Sequence, residues 1–207
     1  MKKIKEKQMN DDLILEESKK IFISYRDSLL AKVNEGTSEI EFGEVGEFVR
    51  GPFGGSLKKN IFVSSGFAVY EQQHPINDQT TSFRYFIDEK KFNEMKRFAV
   101  KPNDILMSCS GTFGKMTIVQ HDSPLGIINQ ALLKISLSSE VNPEYMKHWM
   151  QSQHFQKSLA DSVDGAALQN VPAVAEMKKF RVKVPPLEVQ ERVVSKLDEF
   201  ETDGFEG

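Results

Sequence analysis

Several stretches of this 207-residue chain gather polar side chains around glycines. Residues 50–60, RGPFGGSLKKN, hold Arg50, Ser56, Lys58, Lys59 and Asn60 among three glycines. Glycine lets the main chain approach a ligand closely, and exposed N–H groups beside Lys and Arg suit phosphate oxygens. Residues 70–84 hold Tyr70, Gln72, Gln73, His74, Asn77, Gln79 and Arg84. Such amides and arginines match base edges: Gln or Asn pairs with adenine in two bonds, Arg with guanine. Segments 108–115 and 165–170 add Ser108, Ser110, Thr112, Lys115, Gln169 and Asn170. Ordinary surface loops have the same polarity, so residue types alone leave both readings open.

Enzyme chemistry finds less support. A phosphate-cradling P-loop needs Gly, four residues, Gly-Lys, then Ser or Thr. Here Cys109 stands five before Gly114, and Met116 follows Lys115. Gly51, Gly54 and Gly55 lack dinucleotide spacing. One cysteine and four scattered histidines (His74, His121, His148, His154) make no conventional zinc site, so no metal is expected. Cys109 has no base nominated to activate it and reads as a small buried residue. Asn142-Pro143-Glu144-Tyr145 echoes the Asn-Pro-Pro-aromatic loop of adenine methyltransferases. It lacks the second proline, no Gly-rich S-adenosylmethionine loop accompanies it, and it reads as a helix cap. The expectation is a non-catalytic chain with no catalytic residue and no cofactor of its own.

Net charge is −3, yet its distribution is uneven. Residues 48–120 carry 10 Lys/Arg against 6 Asp/Glu, while residues 1–47 carry 8 against 11 and residues 188–207 carry 2 against 7. A basic middle can face a polyanion while acidic ends do something else. No run approaches the ~18 apolar residues of a membrane span, and no secretory signal pattern opens the chain. With a single cysteine, this points to the cytosol.

The elements that must position the loops follow from periodicity. Residues 11–34 read as an amphipathic helix with Ile14, Ile21, Tyr25, Leu29 and Val33 on one stripe, capped by Asn10 or Asp11 and stopped at Gly36. Short Val/Ile/Phe-rich runs bounded by turn residues predict strands at 40–49, 61–70, 83–87, 104–109, 115–120, 126–137 and 180–184. Helices are expected at 89–97, 143–160 and 173–179, with Asn142 and Pro143 starting the second. Pro185-Pro186 breaks the chain. Residues 187–200 then resume a helix with Val189, Val193, Leu197 and Phe200 on one stripe. The expected fold class is α+β. A globular domain at 37–185, with a twisted, mostly antiparallel sheet and flanking helices, lies between amphipathic helices at 1–36 and 186–207.

Six segments, falling in the family's order along the chain, resemble a known family. Lys101 to Val119, KPNDILMSCSGTFGKMTIV, resembles the "GDIL-x-S-x-x-G-x-x-G-K" segment of type I restriction-modification DNA specificity domains. Gly54-Gly55-Ser56-Leu57-Lys58 is similar to the family's early glycine-rich segment, and Asn129-Gln130 to its "N-Q" strand. Pro143-Glu144-Tyr145 is similar to its "P-x-Y" helix start, and Gly165 through Asn170 with Val171-Pro172 to its "G-x-x-x-x-N-v-p" segment. Val184-Pro185-Pro186-Leu187-Glu188-Val189-Gln190-Glu191 is similar to "i-P-P-L-x-E-Q", with Glu188 and Gln190 in the acidic and amide places. The resemblance spans about residues 40–200.

The resemblance implies a specificity subunit that catalyses nothing. Such a subunit reads double-stranded DNA and docks methyltransferase (modification) subunits and ATP-driven motor-nuclease (restriction) subunits. Those partners would use S-adenosylmethionine, ATP and Mg²⁺. Full subunits carry two recognition domains separated by paired antiparallel spacer helices, whereas this sequence shows one. It therefore reads as a half-size subunit or a fragment, its last helix cut short. The expected DNA-binding residues are Arg50, Ser56, Lys58, Lys59, Gln72, Gln73, Arg84, Ser110, Thr112 and Lys115. The expected partner or dimer face is Ile21, Tyr25, Leu29, Val189, Val193, Leu197 and Phe200, through which two copies can pair. With a −3 net charge, binding alone should be weak and salt-dependent, and tight only with methyltransferase partners. The competing reading is an assembly or regulatory protein that binds restriction-modification subunits without reading DNA. Such a protein would not need this density of Gln, Asn and Arg in its loops.

Overall fold

Runs of Val, Ile, Leu and Phe punctuated by turn residues build short strands that pack as layers under helices. The computed structural model describes residues 2–33, 35–53, 55–162 and 174–205, with side chains described between 13 and 202. The strands are β1 (Glu39–Glu41), β2 (Gly46–Arg50), β3 (Phe62–Val63), β4 (Phe67–Tyr70), β5 (Phe86–Ile87), β6 (Ile105–Ser108), β7 (Met116–Ile118), β8 (Gly126–Ile128), β9 (Leu132–Leu137) and β10 (Arg181–Lys183). The helices are α1 (Lys2–Val33), α2 (Gln73–Ile76), α3 (Glu89–Glu94), α4 (Pro143–Gln151), α5 (Gln153–Asp161), α6 (Val174–Met177) and α7 (Leu187–Phe205). The expected α+β class holds. The strands form a β1-β10 pair and two four-stranded sheets, ordered β2-β9-β6-β7 and β3-β5-β4-β8. Pairing is antiparallel throughout these sheets except between β4 and β8.

Several predicted elements divide, each for a local reason. The 40–49 strand becomes β1, a 3-10 turn at Phe42–Val45, and β2. Glu44 Oε1 accepts from the Glu41 N–H at 2.7 Å, and the turn drives Phe42 and Val45 fully into the core. The 126–137 run splits at residues 129–131, so β8 joins one sheet and β9 the other. The 143–160 helix breaks at Ser152, whose extended backbone (ψ 153°) ends α4 while its Oγ accepts from the Phe155 N–H to start α5. The first helix begins at Lys2, well before the cap expected at Asn10 or Asp11.

The main core lies between the β2-β9-β6-β7 sheet and α4–α5. Phe42, Trp149 and Phe155 meet there with ring centroids 5.0–5.6 Å apart. Cys109 is part of it, and burial pushes its thiol up to about 11, as befits an inert packing residue. A second cluster of Ala68, Tyr70, Leu106, Val119, Ile128 and Leu132 fills the space between the two larger sheets. A third holds the two chain ends together. Leu30, Tyr145, Val193 and Leu197 are buried in it, with Phe22, Tyr25, Leu29, Val33 and Val194 packed around them. Tyr25 stacks on Phe200 at 4.7 Å. Ile21, expected on this stripe, is 58% exposed, and Val189 is half-buried outside the cluster.

Two polar groups tie these helices down. Arg26, 5% exposed, donates through Nη2 to the Gln151 carbonyl at 2.8 Å and to Asp27, whose other oxygen accepts from the Gln153 N–H. This locks α1 against the α4–α5 junction. Gln190, fully buried, accepts from the Asn142 N–H and donates to the Glu140 and Pro185 carbonyls at 2.7–2.9 Å. The amide therefore anchors α7 just beyond Pro185-Pro186.

His148 of α4 sits against Phe22 with its Nδ1 buried and without a partner among the described residues. Burial, then the nearby Arg26 and Lys147 charges, lower its pKa from 6.5 to about 4. The unfolded chain takes up this proton near pH 6.5 and the folded chain only near 4, so stability falls as pH falls through that window. The loss should reach about 2 kcal/mol by pH 5 relative to neutral pH. Urea unfolding of the wild type and of His148→Met at pH 7.5 and 5 checks this. The variant should lose most of the pH dependence, and equal slopes would contradict the assignment.

Candidate nucleic-acid interface

The three described loops with the polar residues leave the two larger sheets at one place. The turn at residues 129–131 connects them. Asn129 N–H donates to the Tyr70 carbonyl at 2.9 Å, and the Ala131 carbonyl accepts from the Cys109 N–H at 2.8 Å. Gly51 N–H donates to the Leu132 carbonyl at 2.9 Å, and its α-carbon lies so close to the Asn129 carbonyl that a Cβ would collide with it. The ends of β2, β4 and β6 therefore converge, and loops 51–61, 71–85 and 109–115 all start from this point. Asn129 fixes the turn itself by accepting from the Ala131 N–H at 3.0 Å.

Individual side chains take different roles. Arg50 donates Nη1 to the Leu132 carbonyl at 2.8 Å and so braces the β9 start. Ser56, Lys58 and Lys59 are exposed on the 51–61 loop, whose Leu57 and Ile61 pack into a cluster with Val69, Ile87 and Phe92. Phe53, in the same loop, is 94% exposed. Gln72 turns its amide nitrogen inward, donating to the Ser110 carbonyl and, at 3.5 Å, to that of Thr112. That nitrogen is engaged in holding the 109–115 loop, a use its residue type did not reveal. Gln73 begins α2, a short helix inside a stretch read as loop. Ser110 is half-buried and Thr112 exposed. Lys115 is exposed, its backbone bound to Ser108, and it lines a groove with Arg26, Asp78, Gln151 and Gln156. No residue of the 51–61 loop lines that groove.

Arg84 is paired rather than free. Nε and Nη2 each donate to a carboxylate oxygen of Glu71 at 2.9 Å. Its guanidinium lies 4.7 Å from the centroid of Tyr85, which stacks on Phe62 at 4.4 Å. That stack joins β3, directly after loop 51–61, to loop 71–85. Glu71, Tyr85 and Asn129 were not singled out as site residues from sequence. A Glu thirteen residues from an Arg carries no local spacing signal, and only sheet pairing brings them together. Gly54 and segment 165–170, with Gln169 and Asn170, lie outside the described residues.

An α+β body that gathers basic and amide side chains on loops at one end of two sheets, with its terminal helices packed together, defines a module whose polar loops are carried on a two-sheet framework. The model of the type I restriction modification DNA specificity domain matches residues 34–206, and the chain belongs to that family. It is 28% identical over 180 residues to a Haemophilus influenzae protein named type I restriction enzyme specificity subunit S.HindORF215P, covering 86% of this chain and 43% of the relative. The HsdS subunit from Thermoanaerobacter tengcongensis has a similar fold, with TM-score 0.66 and 16% identity over 97% of this chain and 48% of that one. A chain from a study of type I R-M complex assembly and conformational transition aligns with TM-score 0.64 and 12% identity, covering 97% of this chain and 51% of that one. The S subunit from M. genitalium aligns with TM-score 0.56 and 14% identity, covering 97% and 53%. The chain thus spans about half the length of these relatives.

Proposed function

We propose that this chain recognises a specific duplex DNA sequence as the non-catalytic specificity component of a type I restriction-modification complex. In that role it directs adenine methylation and ATP-dependent cleavage by modification and restriction subunits. S-adenosylmethionine, ATP and Mg²⁺ belong to those partners in this reading. The observation that carries it is the convergence of loops 51–61, 71–85 and 109–115 on the 129–131 turn in a member of this family. Lysines that suit phosphates and side chains that suit base edges leave the fold from that one place. Among the described residues no helix is long and apolar enough to cross a membrane.

The test selects a randomised duplex pool with the chain assembled on methyltransferase subunits. A single enriched sequence supports DNA reading. Assembly with no enriched sequence would favour the alternative, a protein that only joins subunits.

Lys58→Ala with Lys59→Ala should weaken binding to every duplex alike and reduce the salt slope by about two, since each phosphate lysine contributes about one. Anisotropy titrations between 50 and 200 mM salt measure it. An unchanged slope would remove these lysines from the interface.

The pairing of two copies is part of the proposal, but not through the whole face expected from sequence, because Tyr25, Leu29, Val193, Leu197 and Phe200 pack against one another within the chain. α1 leaves Leu13, Ile14, Leu15 and Ile21 exposed beside the cluster that already joins α1 and α7. A second copy related by a two-fold axis would cover Ile14 and Ile21, which share one helix face, and present the same reader twice, so the target would be an interrupted palindrome. Sedimentation across a concentration range, with Ile14→Asp and Ile21→Asp, decides it. A wild type that stays monomeric at high micromolar concentration would end this part of the proposal.

A further inference from the structure

Arg84 is immobilised on two sides and open on the third. Its side chain is 64% exposed while that of Glu71 is 10% exposed. The carboxylate holds the Nε/Nη2 edge, and the Tyr85 ring covers one face. The supports are themselves fixed. Glu71 N–H donates to His74 Nδ1 at 2.8 Å, and His74 Nε2 donates to the Ser82 carbonyl at 3.0 Å. The Tyr85 carbonyl accepts from the Val69 N–H at 2.9 Å, one residue from the β4–β5 pairing. What remains is the outer edge of the guanidinium, formed by Nη1 and the second Nη2 hydrogen. That edge has no hydrogen-bond partner among the described residues. The rotamer freedom an arginine usually loses on binding is already lost here.

The ligand class follows from charge and geometry. With Glu71 the ion pair is neutral overall, so a phosphate at the outer edge would gain little net attraction and would face the carboxylate behind it. Two parallel N–H donors suit a neutral group with two adjacent in-plane acceptors. In the major groove guanine alone offers that, through O6 and N7. Adenine sets a donor beside N7, cytosine offers a donor, and thymine has one acceptor next to a methyl group. We propose that Arg84, held by Glu71 and Tyr85, reads a guanine through the major groove, and that the target sequence contains a guanine at this position. Glu71 is a positioning residue that acts through Arg84. The inference rests on the DNA-reading function above and adds the base and the residues that read it.

The experiment uses the full chain assembled with methyltransferase subunits and compares duplex selection by the wild type, Arg84→Ala and Glu71→Gln. The wild-type consensus should hold an invariant guanine. Arg84→Ala should make that one position of each half-site degenerate, losing about tenfold to hundredfold in discrimination, with the other positions kept. Glu71→Gln should weaken the same preference while affinity for a scrambled duplex holds or rises, because a negative charge is removed. A purely structural role would blur every position instead. Uniform weakening by Arg84→Ala with the guanine retained would make it a phosphate contact and overturn the inference. Blurring at all positions, or an unaltered consensus, would overturn it too. A wild type that selects no sequence would sink the DNA-reading function itself, an outcome distinct from failure at Arg84 alone.

Discussion

Leu197→Asp should destabilise the protein by about 4 kcal/mol, the largest effect expected of any change at the chain ends. Leu197 is fully buried with Leu30, Tyr145 and Val193 where α1, α4 and α7 meet. Burying the new carboxylate among these apolar side chains adds a desolvation cost to the lost packing. Part of the loss should be local. The Arg26 bond to the Gln151 carbonyl and the Asp27 bond to the Gln153 N–H would remain to hold α1, but without the apolar seam. Urea unfolding should therefore shift to a lower midpoint, and limited proteolysis should cut within α1 before the sheets open. Leu197→Ala, which leaves a cavity but no charge, should cost about 2–3 kcal/mol. Wild-type stability and protease resistance in Leu197→Asp would show that the helices do not depend on this seam.

Gly51→Ala is the second large effect, expected at about 3 kcal/mol from one added methyl. Backbone atoms of Asn129 and Gln130 occupy the space its Cβ would take, and backbone cannot move aside as a flexible side chain can. Relief requires β2 to part from β9 at the turn from which all three loops leave. The thermal midpoint should fall, with Ser56→Ala, an exposed position on the same loop, near wild type as the control. Hydrogen exchange should quicken at the Gly51, Cys109 and Asn129 amides, which bond across this turn. If the midpoint moves by less than a degree or two and these amides stay protected, the close approach does not hold the loops in place.

These two positions differ in how they announce themselves. Leu197 belongs to a stripe with Val193 and Phe200 that helical periodicity displays, since a helix places i, i+4 and i+7 on one face whatever lies opposite. Gly51 is one glycine among three, and only the fold sets backbone where its Cβ would stand, whereas Gly55 has open space around it and a positive φ (97°). Strands behave the same way. The apolar run 126–137 was legible as extended chain, but its division between two sheets depends on partners far away in sequence, Tyr70 on one side and Cys109 on the other. α2 and the break at Ser152 were missed because short helices and mid-helix caps are decided by packing more than by propensity.

Local patterning thus carried the α+β class, most strand positions, the two terminal helices and the family's motif order, because side-chain periodicity and turn chemistry act over a few residues. It also placed most of the candidate polar residues on loops, whose starts the fold brings together at the 129–131 turn. Tertiary structure alone decided what each side chain does there. Gln72 and Arg84 looked alike as base readers. Folding turns the Gln72 amide onto the Ser110 carbonyl and clamps Arg84 on Glu71 with one edge left outward. The reason is physical: a polar group's role is set by the partners within about 3 Å of it, and in a sheet those partners come from strands that sequence distance does not connect.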